Sequence, residues 1–228
     1  MSESITDNDL FKIILTKGSL KQDVYQKTLS VFNIIKNVSQ KLTKDYQLIE
    51  EKPTPVIPFE YKDRGEFEIE LRFAGDILIF MMHTNIFEFP RDHEVMRLPY
   101  LRDNKDRSYC GIINIYNFLA DSFKYNRDND SGYLIGRIFI NKDMHYYLEG
   151  KRDIGLIYNN FETSQADIES ISNVVKSAIK YTVNFDLLTP PYDNVKEVSV
   201  FEIKTELDNM KIPTGKRLGF RFHADIDR

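Results

Sequence analysis

The clearest pattern in the chain is a strict alternation of charged and apolar residues between positions 66 and 73. The apolar residues of this segment are Phe67, Ile69, Leu71 and Phe73. Successive side chains of a strand point to opposite faces, so the alternation predicts a half-buried β-strand. Ala74-Gly75-Asp76 can turn the chain, and the following run from Ile77 to Met82 is apolar on both faces. We predict an antiparallel hairpin of residues 66–73 and 77–83, with the four apolar residues facing the core.

A long helix is predicted before this hairpin. Ser19 and Gln22 have the spacing of a capping box, which indicates that the helix begins there. Apolar positions then recur at alternating steps of four and three, the stripe by which a helix buries one face. The stripe consists of Val24, Thr28, Val31, Ile35, Val38 and Leu42.

The apolar surface of this helix is wider than one stripe, because Tyr25, Leu29 and Phe32 flank it. A helix that is apolar over a wide arc needs a second surface to bury the remainder. A symmetric partner helix meets this need, so we predict a homodimer formed through the first helix. Burial against other parts of the same chain is the competing explanation.

Proline and turn residues divide the rest of the chain. The proline-rich segment 51–58 cannot continue the helix and is interpreted as a connector. Residues 109–123 fit both a helix and a strand, and their isoleucines, asparagines and Gly111 favour the strand. Residues 126–132 are interpreted as a turn. Further strands are predicted at 133–140, 144–149, 154–161, 195–204 and 218–222.

A second helix is expected after these strands, capped by Thr163 or Ser164. Its apolar side is predicted to contain Ile168, Ile171, Val175, Ala178, Ile179 and Thr182. This order of elements predicts an α+β fold: a mainly antiparallel sheet of five to seven strands, with two long helices packed on one face. We expect residues 1–228 to form one domain. The other face of the sheet is then either a pocket partly covered by loops or a flat apolar interface.

The charge balance, the length of the apolar run and the single cysteine bear on the protein's partners and location. The chain has 31 basic and 35 acidic residues and a formal net charge of -4, which disfavours nucleic acid as a partner. The apolar run 77–82 is far shorter than a membrane-spanning helix, so we expect no membrane association. Cys110 is the single cysteine, and the first residues lack a basic segment followed by an apolar one. These features predict a cytoplasmic protein.

The densest group of chemically reactive side chains follows the central predicted strand and consists of His83, Asp92, His93 and Glu94. Imidazoles and carboxylates can bind a divalent metal or transfer protons, and strand ends often present such groups. The spacing matches no established zinc motif. These four residues are therefore candidates for a catalytic site, against the simpler interpretation that they form a charged, solvated loop.

Other chemically suggestive groups have structural explanations. Asn126, Asp128 and Asp130 suggest a calcium loop, but its glycine and glutamate positions do not match, so a turn is favoured. Cys110 lacks an activating neighbour in the sequence and is interpreted as a packed thiol. A C-terminal cation site and two phosphate-binding basic pairs are weaker alternatives. The cation site would consist of His223, Asp225 and Asp227. The basic pairs are Lys151-Arg152 and Lys216-Arg217, with Arg107, Arg137 and Arg221 as possible additions.

Three functional hypotheses follow from the sequence. The leading one is a non-enzymatic, regulatory module that binds a small molecule or another protein, because no specific catalytic signature is present. The second is a small metal-dependent hydrolase or nuclease that uses His83, Asp92, His93 and Glu94. The third is a structural subunit of a larger assembly. The sequence predicts no cofactor and no bound metal for the leading hypothesis.

Overall fold

The computed structural model describes residues 6–51, 53–150, 160–186, 189 and 191–201. Seven strands form one open sheet with antiparallel pairings, in the order β1-β2-β3-β5-β6-β7, and β4 pairs with the start of β5. The strands are β1 Phe59–Gly65, β2 Glu68–Phe73, β3 Asp76–Met82, β4 Phe87–Glu88, β5 Tyr109–Leu119, β6 Tyr133–Asn141 and β7 Tyr146–Gly150. The helices are α1 Asp7–Gln47, α2 Pro99–Asp103, α3 Ala120–Lys124, α4 Ile168–Val183 and α5 Tyr192–Val195. The predicted α+β class is confirmed.

The hairpin predicted from the alternation is confirmed as β2 and β3. Leu71 pairs with Leu78 in the antiparallel register, and Ile69, Leu71 and Phe73 are buried. Phe67 lies just before β2 and is half-buried against the same core. The strand predicted from residue 109 is also confirmed as far as Leu119. Residues 120–123 are helical instead and belong to α3.

Both long helices pack on one face of the sheet, as predicted. The core on this face joins the apolar residues of α1 and α4 to inward-facing residues of five strands. Val24, Val31, Phe32 and Ile35 of α1 have no exposed surface. The wide apolar arc of the first helix, between residues 24 and 38, therefore packs within the same chain against both the sheet and α4, with Tyr25 and Leu29 half-buried.

Among the described residues, only part of the opposite face of the sheet is covered. The segment from Phe87 to Ser108 contains β4, α2 and two short 3-10 turns, and it lies over the β5–β7 half of this face. Its apolar residues form a second cluster with outward-facing residues of β5, β6 and β7. The buried members of this cluster are Phe89, Val95, Tyr100, Leu101, Cys110, Ile112, Phe139, Tyr147 and Phe161.

The predicted start of the first helix was wrong. The helix begins at Asp7, where Thr6 caps it by accepting a hydrogen bond from the Asp9 amide at 3.3 Å. A glycine inside a helix costs only about 1 kcal/mol relative to alanine. The helix therefore continues through Gly18, and Ser19 does not act as its cap.

The predicted cap of the second helix was also wrong. Asp167 is the cap and accepts a hydrogen bond from the Ser170 amide at 2.7 Å. The residues before it cannot join the helix because their backbone bonds to the β6–β7 turn and β7: the Ser164 carbonyl accepts from the Tyr146 amide at 2.9 Å, and the Ala166 amide donates to the Met144 carbonyl at 2.8 Å. Ile168, expected on the apolar side, is exposed.

The late strand predicted at 195–204 is absent from its described part. Residues 192–195 form α5, and the following residues pair with no strand up to residue 201. Val198, Val200 and Phe201 are exposed, so their apolar and β-branched character does not place them in the sheet. The strand at 154–161 lies outside the described residues except for its last two positions, and the strand at 218–222 lies wholly outside them.

Candidate functional site

A hydrogen-bonded network attaches residues 87–108, which we call the covering segment, to the face of the sheet opposite α1 and α4. The Tyr100 hydroxyl donates to Asp143 at 3.1 Å and accepts from the Asn141 amide group at 2.9 Å. Arg107 donates from Nε to Asp143 at 2.8 Å, and its guanidinium lies 4.2 Å from the centroid of the Tyr100 ring. The Tyr100 ring also stacks on the His145 ring at 5.1 Å. The network joins the covering segment to the turn between β6 and β7.

The covering segment and the sheet enclose a concave site, which we call the open-face pocket. It has a volume of about 270 Å³. Its floor is formed by β5, β6 and β7, and its wall by β4 and the residues that follow it. The lining residues are Phe87, Glu88, Phe89, Pro90 and His93 on the wall, and Cys110, Ile112, Arg137, Phe139 and Glu149 on the floor.

Aromatic rings provide most of the apolar wall. The Phe89 ring lies 4.8 Å from both the Phe139 ring and the His93 ring, measured between centroids. The Tyr147 ring supports Phe89 from the sheet at 6.0 Å. Rings held at these distances by their neighbours form a rigid surface on which a planar group can stack.

The charged residues on the floor form an ion pair. Arg137 donates from Nε to a Glu149 carboxylate oxygen at 2.6 Å, and its terminal nitrogen contacts the same oxygen. The two residues face each other across the β6–β7 pairing. Because each charge is neutralised by the other, the floor presents polar atoms without a strong net field.

His93 has a structural role and leaves one nitrogen for other partners. Its Nδ1 accepts a hydrogen bond from the Val95 amide at 3.2 Å and so caps the 3-10 turn that follows. A neutral imidazole carries one proton, so in this ring the proton lies on Nε2. His93 therefore offers an N–H donor at Nε2.

The nucleophilic groups around the pocket are held in their protonated forms. Burial raises the pKa of the Cys110 thiol far above its ordinary value. Burial, together with the hydrogen bond that its hydroxyl donates to Glu94 at 2.8 Å, raises the pKa of Tyr147. Burial also raises the pKa of Tyr100 to about 12. None of these three side chains is an activated nucleophile.

The four candidate residues from the sequence lie in different surroundings. His83 follows β3, and its Nδ1 accepts from the Asn85 amide at 3.0 Å while its ring contacts Phe87. His93 lines the pocket, Glu94 accepts from Tyr147, and Asp92 is exposed. Among the described residues, no group of three or more His, Cys, Asp or Glu side chains could hold a metal ion. The metal site remains a prediction, which metal analysis of untagged protein would check.

Three of the other sequence candidates that the structure describes, Asp130, Arg107 and Arg137, are paired with opposite charges. Asp130 accepts from Ser122 at 2.6 Å and pairs with Arg127 at 2.9 Å, in the connection between α3 and β6. Arg107 pairs with Asp143, and Arg137 with Glu149. The pairs 151–152 and 216–217, Arg221 and the group His223, Asp225 and Asp227 lie outside the described residues.

Sequence reasoning missed most of the pocket. A turn at 141–143 in the predicted hairpin of 133–140 and 144–149 would pair residue 140 with residue 144 and set Arg137 opposite Tyr147. In the structure Ile140 pairs with Tyr146 instead, and this register brings Arg137 opposite Glu149. The sequence around Phe89 and the other wall residues shows no periodic pattern of apolar positions, since this segment has little regular secondary structure.

In the part of the chain that the structure describes, no helix is long and apolar enough to cross a membrane. Comparison with protein-family models, with curated proteins and with solved structures finds no match to this chain.

Proposed function

We propose that the protein is a non-enzymatic binding module that holds a small, planar, uncharged aromatic ligand in the open-face pocket. The observation that carries the proposal is the pocket itself: a cavity of about 270 Å³ with a sheet floor, aromatic walls and a few polar groups. Small-molecule sites commonly combine apolar and aromatic walls with a small number of placed polar groups.

The electrostatics of the lining favour an uncharged ligand. The Arg137–Glu149 ion pair satisfies its own charges, so a ligand ion would have to compete with a partner already in place. A carboxylate ligand would also meet Glu88, which lies on the pocket wall. His93 Nε2–H can donate to a neutral acceptor, such as an amide oxygen.

The aromatic walls favour a flat ring. Phe89 and Phe139 lie close together at the pocket, and a planar ligand can pack on either ring. Offset-stacked and edge-to-face ring contacts add about 0.5–1.5 kcal/mol beyond simple burial. A saturated ring of similar size fills the volume but loses that contribution.

Binding without catalysis agrees with the state of the reactive groups. Catalytic nucleophiles and bases need pKa values close to the working pH. The pKa values of Cys110 and Tyr147 are instead raised, which keeps both groups neutral. A cytoplasmic location, favoured by the single cysteine, is part of this proposal.

Titration of isotope-labelled protein with benzamide, followed by backbone amide chemical shifts, tests the proposal. We expect saturable shifts at Cys110, Ile112 and Phe139. A His93→Asn variant keeps a capping side chain and removes the ring, so it should bind more weakly. His83→Asn is the matched control, because His83 also accepts from the amide two residues ahead, and its ring contacts Phe87 but does not itself line the pocket. Shifts that are absent, or that map elsewhere, contradict the proposal.

A structural role is the second candidate function, and a specific observation favours it: the first part of α1 exposes a row of large apolar residues. That surface lies apart from the pocket and is treated next.

A further inference from the structure

The N-terminal part of α1, residues 7–21, exposes an unusual amount of apolar surface; we call it the overhang. Five of its large apolar side chains are between 45% and 68% exposed: Leu10, Phe11, Ile13, Ile14 and Leu15. Five large apolar residues within six positions form a contiguous patch, which marks an interaction surface in a folded protein.

The overhang differs sharply from the rest of α1. From Val24 onward the apolar face of the helix is buried against the sheet and α4, which accounts for the surface that the sequence pattern left unassigned. Before Val24 the described chain provides no such cover. The free apolar surface of α1 therefore lies N-terminal to the stripe predicted from the sequence.

One side-chain contact links the overhang to the sheet. Lys17 donates from Nζ to the Tyr109 hydroxyl at 2.8 Å, and the ammonium lies 4.3 Å from the centroid of the Tyr109 ring. The hydrogen bond to Tyr109 raises the pKa of Lys17, which keeps the ammonium charged. This contact joins the middle of the overhang to the first residue of β5.

A groove of about 770 Å³ runs between the overhang and residues 84–87. One side is formed by Ile14, Leu15, Gly18 and Tyr25 of α1. The other side includes Ile86 and Phe87. At Gly18, open space surrounds the position where a side chain would begin, so a second helix can approach the backbone closely.

We propose that a second copy of this chain occupies the groove, with the two overhangs packed antiparallel. One stripe of the overhang, of which Ile14, Gly18 and Lys21 line the groove, recurs at steps of four and three, the spacing of helices that pack along their length. The stripe consists of Asp7, Phe11, Ile14, Gly18 and Lys21. The set is acidic at its start, basic at its end and apolar between.

This order of charges favours a second copy of the same helix as the partner, and it favours the antiparallel orientation. Two overhangs aligned antiparallel about Ile14 bring Asp7 of each copy opposite Lys21 of the other. A parallel pair would place Asp7 against Asp7 and Lys21 against Lys21, which is repulsive at both ends. The surface is thus complementary to itself, as an interface related by a two-fold axis requires.

Ile14 lies at the centre of the antiparallel register, opposite its own symmetry mate. Phe11 of one copy then packs near Gly18 of the other, where there is room for a ring. Central, fully desolvated apolar residues carry most of the energy of an interface. Substitution of Ile14 by a charged residue should therefore have a large effect on association.

Sedimentation equilibrium of the full chain at micromolar concentration tests the interface. We expect a dimer for the wild type, and a dissociation constant raised at least about 30-fold for Ile14→Glu. Asn33→Glu is the matched control, because it adds the same charge at an exposed position of α1 beyond the overhang. Circular dichroism of each variant establishes that the helix is retained.

Charge exchange tests the antiparallel register. Asp7→Lys alone and Lys21→Asp alone place like charges at both ends of their homodimers, so each should associate several-fold more weakly than the wild type. A mixture of the two variants restores opposite charges at both ends and should form a heterodimer.

Three outcomes overturn the proposal. A wild type that stays monomeric shows that the groove does not receive a second copy. A dimer that survives Ile14→Glu is formed by another surface. A mixture of Asp7→Lys and Lys21→Asp that forms no heterodimer excludes the antiparallel pairing.

Discussion

Gly111 of β5 lies directly beneath Thr28 of α1. A β-carbon placed on Gly111 would collide with the Oγ1, Cβ and Cγ2 atoms of Thr28. Thr28 is fully buried and donates its hydroxyl proton to the Val24 carbonyl at 2.7 Å, so its side chain cannot turn away without losing this bond. The pair marks a close approach between the long helix and the sheet.

Gly111→Ala should destabilise the protein by about 1–3 kcal/mol, because the added methyl group forces α1 away from β5. Urea denaturation measures the loss as a lower midpoint, while the slope of the unfolding free energy against urea concentration stays unchanged. In the double variant with Thr28→Ala, two of the colliding atoms are removed, so part of the stability should return relative to the sum of the single changes. Additive losses would contradict the assigned contact.

Leu71→Ala should lower the free energy of unfolding by about 2–5 kcal/mol, since Leu71 is fully buried in the main core. Leu48→Ala is the matched control. Leu48 is 79% exposed at the end of α1, and its change should stay within about 0.5 kcal/mol. Equal urea midpoints for the two variants would show that the inward face of β2 is assigned incorrectly.

The glycine at position 111 illustrates how far the sequence leads. From the sequence alone, Gly111 served only to weaken a helical interpretation of its segment. Its actual role, the close approach of a helix, depends on which residue of α1 lies above it. The β2–β3 hairpin was predictable from local alternation at 66–73, and β6 and β7 from the turn residues around them. No pattern predicted β1 or β4, and the strand expected at 195–204 is absent from its described part. The starts of the two long helices, at Asp7 and Ile168, were not predictable, because the capping signals at Ser19 and Thr163 compete locally with equally good alternatives.

Asp143→Asn should destabilise the protein at neutral pH and make less difference in acid. Partial burial pushes the pKa of Asp143 upward, but hydrogen bonds from Arg107 and Tyr100 outweigh it and lower the pKa below its ordinary value. A lowered pKa contributes stability above the ordinary value of about 3.9, and this is lost as the pH falls through the folded-state value.

We expect the Asp143→Asn variant to lose up to about 1 kcal/mol at pH 7, because Asp143 is partly exposed to solvent. The gap between wild type and variant in urea midpoints should close as the pH falls below about 4. Asp92→Asn, at an exposed position, is the control. A gap that grows in acid would contradict the predicted sign.

Cys110 should resist thiol reagents in the folded protein. Its side chain is 1% exposed and its raised pKa keeps the thiol protonated, whereas the thiolate is the reactive form. Reaction with Ellman's reagent should be slow in buffer and rapid in denaturant. A fast reaction in the native state would identify an accessible thiolate and contradict the interpretation of Cys110 as a packed thiol.

The candidate site shows the limit of sequence reasoning more clearly than the fold does. His93 was singled out for its chemistry, and it lines the pocket, although one of its nitrogens caps a turn. Its neighbours in the pocket, Phe139 and Glu149, come from strands more than forty positions away. Only the order of strands in the sheet brings these residues together, and no local pattern encodes that order.

The central claim, a binding pocket for a planar uncharged ligand, is tested most directly by calorimetric titration of the wild-type protein with three matched probes. Benzamide carries the ring and the neutral amide, cyclohexanecarboxamide lacks the aromatic ring, and benzoate replaces the amide with a charge. The account predicts that benzamide binds most tightly. Cyclohexanecarboxamide should bind about twofold to tenfold more weakly, because it loses aromatic contacts worth about 0.5–1.5 kcal/mol. Benzoate should also bind more weakly, because its charge meets Glu88 and the paired Glu149. Equal affinity for all three probes, or a preference for benzoate, would contradict it.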